Sequence, residues 1–179
     1  MKGVADTLVA SLTVAAVSTA GDLIWATWIP THGAVYGLAH GTLLFCAIGF
    51  VLGRLAGRPR AGAAAGAAIG IAAAALFYVG APLAGWSMMF VVWFGIWVAI
   101  GSWYSHLNGA GWSGAAGLAR GALAAAGSGL AFYSVAGIWM PFDPEGWDYA
   151  IHFLAWTAAY VPGFGALLLA RRSVPPAGP

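Results

Sequence analysis

The chain alternates between long apolar stretches and short polar connections. Six stretches approach the length of a membrane-spanning helix, at residues 7–29, 33–53, 61–81, 86–104, 121–140 and 149–170. A helix needs ~20 residues to cross a hydrocarbon core. The pattern predicts an all-α polytopic membrane protein, a six-transmembrane-helix bundle formed by residues 1–172 as one domain. The Pro-rich tail at 173–179 is expected to be disordered.

The cationic side chains predict the topology. If both termini are cytoplasmic, the three outer loops contain no Lys or Arg, and the third contains Asp143 and Glu145. An odd number of spans would scatter the cations over both faces, against the positive-inside bias. We therefore expect six spans with cytoplasmic N- and C-termini, and the following cations on the inner side: Lys2, Arg54, Arg58, Arg60, Arg120, Arg171 and Arg172.

Composition excludes most soluble activities. The chain is 61% hydrophobic and 7% charged, whereas soluble domains have about 25% charged residues. No basic tract suggests nucleic acid, and the G-x-S-x-G, phosphate-loop and paired-Cys motifs are absent. An enzyme is therefore not favoured, although the question stays open. Six Arg against one Lys, with abundant Ala and Gly, are typical of GC-rich prokaryotic genomes and suggest a multi-pass protein of the bacterial inner (cytoplasmic) membrane.

Span three contains a small residue at every fourth position, at Gly62, Gly66 and Gly70. Such rows let helix backbones approach closely in lipid. The row is either a packing seam inside the monomer or a face for a homo-oligomer or a membrane-protein partner.

Span four is rich in aromatic residues, and Trp93 and Trp97 fall at mid-membrane. Indole N–H groups at that depth need acceptors, or they line a cavity that contains a ligand. We expect this face to lie beside the small-residue surface of span three, which would leave space for a ligand. Ordinary packing is the alternative.

Three spans place an ionisable side chain in the same outer slab of the membrane. Asp22 and His40 lie ~10 Å deep and His152 ~5–6 Å deep, at 1.5 Å per helical residue. Tyr36 precedes His40 by one turn and Trp156 follows His152 by one turn, so each continues the same helix face. Intramembrane ionisable residues usually face the bundle interior. The sequence therefore predicts a polar cleft that opens outward.

The chemistry of this cleft has three interpretations. The side chains can satisfy one another, they can bind the polar head of a ligand, or they can hold a metal or haem or relay protons. No H-x-x-x-H spacing supports a metal site, and no cofactor is identified. We expect an amphipathic lipid, diacylglycerol-like or sterol-like, bound within the bundle by a lipid sensor or carrier. Its apolar body would contact Trp93 and Trp97. A metal- or haem-containing redox enzyme using Asp22, His40 and His152 is the alternative.

Three segments resemble the insulin-induced protein (Insig) family of six-span membrane proteins. They are the turn from Trp25 to Gly33, the aromatic and Gly-rich segment from Ser102 to Trp112, and Phe132-Tyr133 followed by 141–144 and a basic end to the last span. The resemblance implies a sterol- or lipid-type cavity among the spans. The family's acidic residue before span four has no counterpart around Pro82 to Ser87, so the resemblance does not extend to its sterol-sensing partner.

Overall fold

The computed structural model describes residues 2–29, 33–109, 114–139 and 144–169. Within them, all regular structure is helical, and six helices are long and apolar enough to cross a membrane. The predicted all-α, six-helix architecture is thereby confirmed, while the orientation of the termini stays a prediction. The helices are α1 (Lys2–Trp28), α2 (Ala34–Leu55), α3 (Pro59–Ala84), α4 (Met88–Leu107), α5 (Ala115–Trp139) and α6 (Asp148–Leu168).

Most helices extend beyond the predicted spans, and the connections are correspondingly short. Pro59 starts α3, where its fixed φ suits a first turn and its missing N–H costs nothing. Gly57 and Gly85 have φ of 74° and 58°, a region that favours glycine, and they turn the chain between α2 and α3 and after α3. The predicted tail at 173–179 lies outside the described residues.

The helices form a closed ring of antiparallel neighbours. Each helix contacts the next in sequence, and α1 also packs against α6. The ring therefore has two ends. We call them the basic end, which contains Arg54, Arg58, Arg60 and Arg120, and the far end, which contains Glu145 and Asp148.

The glycine row of α3 packs against α2. A Cβ added at Gly66 would lie 3.0 Å from the Cα of Gly49 and would overlap the carbonyl group of Phe45. Gly62 is placed in the same way against Gly49 and Gly53. The prediction that this row faces the aromatic residues of α4 is therefore wrong. It is a seam inside the chain, and a partner could use these glycines only by displacing α2.

The core is concentrated in the half of the bundle next to the basic end. The buried residues of α2 begin at Phe45, and those of α3 lie between Gly62 and Ala73. Because the two helices are antiparallel, both sets occupy the same half. Residues 34–44 of α2 include no buried side chain. The half next to the far end is therefore packed more loosely, at least around α2 and α3.

Candidate functional site

The centre of the candidate site is the carboxylate of Asp22 on α1. Its Oδ2 lies 2.8 Å from Nδ1 of His152 and 2.6 Å from the indole Nε1 of Trp156, both on α6. The two donors are four residues apart, so one face of α6 presents both of them to α1. Trp156 donates its indole N–H to Oδ2, and the tautomer of His152 that carries its proton on Nδ1 donates to the same oxygen.

The burial of the pair differs between its members. The side chain of His152 is 5% exposed and that of Asp22 is 18% exposed. Hydrogen bonds to a charged acceptor are stronger than neutral ones, and low dielectric strengthens them further. The Asp22 carboxylate is thus fixed by hydrogen bonds from α6, and part of its side chain stays accessible to another molecule.

His40 lies beside this pair on α2. Its ring packs on Gly21, where an added Cβ would come within 2.7 Å of His40 Cε1. The ring of Trp25 contacts it at 5.6 Å between centroids. The structure thus places His40 against the turn of α1 that carries Asp22, while His152 contacts Asp22 itself. Tyr36 lies one turn away on α2 and is 40% exposed.

Two further hydroxyl groups flank the pair. Thr19 Oγ1 and Tyr149 Oη are buried and have no hydrogen-bond partner in the described part of the chain. Thr19 precedes Asp22 by three residues, and Tyr149 precedes His152 by three, with its ring 6.0 Å from that imidazole. Buried polar groups are nearly always hydrogen-bonded. The surroundings of the pair therefore contain two hydroxyl groups that no described residue bonds.

The sequence did not single out these hydroxyl groups. A Thr or Ser within a helix normally bonds the carbonyl one turn back, as Thr7, Ser11 and Ser18 do here. No pattern of residues separates Thr19 from that group. Only the structure shows that Thr19 Oγ1 has no partner among the described residues.

A closed cycle of six aromatic rings adjoins the site. Neighbouring ring centroids are 4.6 to 6.3 Å apart. Trp156 belongs to this cycle and also donates to Asp22, so the cycle fixes the orientation of one donor. In order around the cycle, the rings are Trp93, Phe132, Trp156, Tyr160, Phe164 and Trp97.

The structure gives the two predicted wall residues of span four different roles. Trp97 is 2% exposed and packs on Gly163 of α6, where an added Cβ would lie 2.5 Å from its ring. Trp93 donates its indole N–H to Ser128 Oγ of α5 at 3.1 Å. Both rings therefore contact α5 or α6, and the prediction that they face α3 is wrong. Trp97 is a core residue, as the ordinary-packing alternative required.

Trp93 also lines an open groove between α4 and α5. The groove has a volume of about 590 Å³, and its walls include Phe90, Phe94 and Tyr133. The stacked rings of Phe132 and Trp156, 4.6 Å apart, lie between Trp93 and the Asp22 carboxylate. The sequence predicts one cavity that contains both the tryptophans and the polar residues. In the structure, the groove at Trp93 and the polar site at Asp22 are separate.

The geometry does not favour a metal centre. In the described ranges, no three His, Cys, Asp or Glu side chains are close enough together to hold a metal ion. The hydrogen bond between Asp22 and His152 uses Oδ2 and Nδ1, so these two atoms are engaged with each other. The arrangement suits hydrogen bonding to a polar group better than coordination.

No family model, curated protein or solved structure matches this chain. The resemblance to the insulin-induced protein family therefore stays a prediction. Several of its residues, at 30–32, 110–112 and 141–143, lie outside the described part. The described part of the chain is an all-helical bundle of six helices, each long and apolar enough to cross a membrane, with a hydrogen-bonded centre between α1 and α6 beside His40 of α2.

Proposed function

We propose that this protein binds an amphipathic lipid or sterol-like molecule in the far half of its bundle and acts as a lipid sensor or carrier. The observation that carries the proposal is two buried hydroxyl groups, Thr19 Oγ1 and Tyr149 Oη, that no described residue bonds and that lie three residues before Asp22 and His152. In the predicted topology, the site would be reached from the outer leaflet of a bacterial inner membrane.

The polar head of the ligand would bind at Asp22. Both donors from α6 use Oδ2, and within the described residues no hydrogen bond is made to Oδ1. A hydroxyl group of the ligand can donate to Oδ1 and accept from a neighbouring hydroxyl or from His40. Asp22 is 18% exposed, so the approach is open on that side.

The charge of Asp22 selects among head groups. Like charges repel strongly at low dielectric, and a phosphate group next to this carboxylate would be destabilised. A small neutral head with one or two hydroxyl groups has no such penalty. The site therefore favours a diacylglycerol-like or sterol-like ligand, which agrees with what the family resemblance implies.

The apolar body of the ligand would cover the first half of α2. This part of the helix has no buried residue, and Val35, Tyr36 and Leu38 are each at least 36% exposed. Tyr36 and His40 lie on the same face of α2. A ligand with its head at Asp22 and its body along this face would complete the loosely packed half of the bundle.

Native mass spectrometry of the detergent-purified protein tests the proposal. We expect one neutral lipid per chain on the wild type. Asp22→Asn keeps the shape and removes the charge, and Thr19→Val removes one hydroxyl. Each should lower occupancy by about 5- to 100-fold, the consequence of losing a buried polar partner.

The matched control is Ser11→Ala, which removes a buried hydroxyl that already bonds the carbonyl of Thr7. It should leave lipid occupancy unchanged. Equal occupancy in the wild type and in a folded Asp22→Asn protein would disprove the proposed site. Stoichiometric iron, zinc or copper that survives chelator washes and disappears in His40→Ala would support the metal-containing alternative instead.

A further inference from the structure

A second groove lies in the other half of the bundle, between α1 and α2. Its volume is about 630 Å³, within the range of about 300–1,000 Å³ typical of small-molecule sites. Most of its walls are apolar side chains from the two helices. They include Val9, Val17, Leu43, Phe50, Val51 and Leu55.

This groove opens sideways, towards the surroundings of the bundle. Val9, Leu43 and Phe50 are 65%, 69% and 43% exposed. In a membrane, such a surface meets lipid chains. The site around Asp22 is separate from it, because the groove reaches only to Val17 on α1, five residues short of Asp22.

Two opposite charges complete the lining, and both are near the basic end. Asp6 lies in the first turns of α1, and Arg54 lies in the last turn of α2. The helix dipole favours a cation in the last turn of a helix, which explains Arg54 but not Asp6, since α1 has no acidic residue in its first turn. The dipole also does not explain why Asp6 and Arg54 line the same apolar groove.

The two charges do not neutralise each other directly. Among the described residues, no ion pair within 4.0 Å involves Asp6 or Arg54. An apolar groove with a separate anion and cation at one end matches a molecule that carries both charges in its head and has an apolar tail.

We propose that this groove binds a phospholipid with a zwitterionic head group, an ammonium next to a phosphate, as in phosphatidylethanolamine. Arg54 binds the phosphate, since guanidinium pairs with phosphate oxygens through two parallel hydrogen bonds. Asp6 binds the ammonium group. One acyl chain lies along the groove between α1 and α2. Unlike the Asp22 site, this site selects for a phosphate-containing lipid.

The test titrates delipidated protein in detergent with phosphatidylethanolamine, phosphatidylglycerol or diacylglycerol and follows the bound species by native mass spectrometry. The wild type should bind phosphatidylethanolamine at least about fivefold more tightly than phosphatidylglycerol, since only the former has an ammonium group for Asp6. Asp6→Asn should remove this preference. Arg54→Gln should weaken both phospholipids by about fivefold or more, and Arg54→Lys should weaken them less.

Arg58→Gln is the matched control, because Arg58 is an exposed cation at the same end that does not line the groove. It should bind all three lipids as the wild type does. Asp22→Asn should also leave phosphatidylethanolamine binding unchanged, so the two proposed sites fail independently. The melting temperature of each variant separates loss of binding from loss of fold.

Three results would overturn the proposal. They are equal binding of the two phospholipids to the wild type, an unchanged preference in Asp6→Asn, and binding of diacylglycerol in this groove as tightly as phosphatidylethanolamine.

Discussion

Asp22 and His152 are 130 residues apart in the chain, yet their side chains meet at 2.8 Å between Oδ2 and Nδ1. The contact joins the first helix to the last and so helps to close the ring. One turn further into the bundle, Ser18 Oγ and Tyr160 Oη join the same two helices at 2.9 Å. Lipid supplies no hydrophobic drive between helices, so polar contacts and close packing hold such a bundle together.

A double-mutant cycle measures the interaction energy between Asp22 and His152. We expect Asp22→Asn and His152→Phe to couple by about 0.5–2 kcal/mol in detergent unfolding, the range found for hydrogen bonds between membrane helices. The control cycle pairs Asp22→Asn with His106→Ala at the basic end and should be additive. Coupling in the control as large as in the Asp22–His152 cycle would contradict the assignment.

The contact between Ser18 and Tyr160 predicts that removing one hydroxyl group destabilises the protein more than removing the other. Ser18 also bonds the carbonyl of Val14, so Tyr160→Phe leaves Ser18 satisfied and should cost about 0.5–1.5 kcal/mol. Ser18→Ala leaves the buried Tyr160 hydroxyl unpaired and should cost about 1–3 kcal/mol. Unfolding free energies of the two variants check the order. If Tyr160→Phe proves the more destabilising of the two, the hydroxyl pair is not arranged as described.

The seam between α2 and α3 predicts that small residues there are essential. In Gly66→Ala, the new methyl group would meet the backbone of Phe45 and Gly49, and the helices must move apart. We expect a loss of about 1–3 kcal/mol, as for an overpacked core. Gly95→Ala on α4 is the control, because nothing lies within 4 Å of an added Cβ there. Equal unfolding free energies for the two variants would argue against the seam.

Accessibility of introduced cysteines tests the topology. On a Cys46→Ser background, Leu83→Cys and Glu145→Cys should react with a membrane-impermeant thiol reagent added to intact cells, because both positions lie at the far end of the bundle. Arg58→Cys and Asn108→Cys, at the basic end, should react only after the membrane is opened. Labelling of Arg58→Cys in intact cells would contradict the predicted topology and show that the basic end faces outward.

The six helices were predictable because ~20-residue apolar runs are set by the thickness of a membrane. The common depth of Asp22, His40 and His152 followed from the same count. Their pairing did not, because the rotation of each helix about its axis depends on all its neighbours. The sequence leaves open whether Asp22 pairs with His40, and in the structure its carboxylate is hydrogen-bonded to His152 and Trp156.

The helix that packs against the glycine row of α3 could have been predicted from the sequence, but the prediction named α4 instead of α2. Gly41, Gly49 and Gly53 give α2 a small-residue row of its own, and this row is the one that meets α3. The signal was present in the sequence. The aromatic residues of α4 were instead paired with α3, although bulky side chains can also fill space by packing on one another, as the cycle around Trp93 and Trp97 does.

The most direct test of the lipid-binding proposal is photocrosslinking from two matched tyrosines. Tyr36 on α2 and Tyr133 in the groove between α4 and α5 are each 40% exposed. With a benzophenone side chain at either position, irradiation and mass spectrometry of the purified protein should give one neutral lipid adduct at position 36. That adduct should disappear in Asp22→Asn, while position 133 should give the mixture of bulk lipids. An adduct spectrum at position 36 that matches that of position 133, and that Asp22→Asn leaves unchanged, would contradict a lipid site at Asp22.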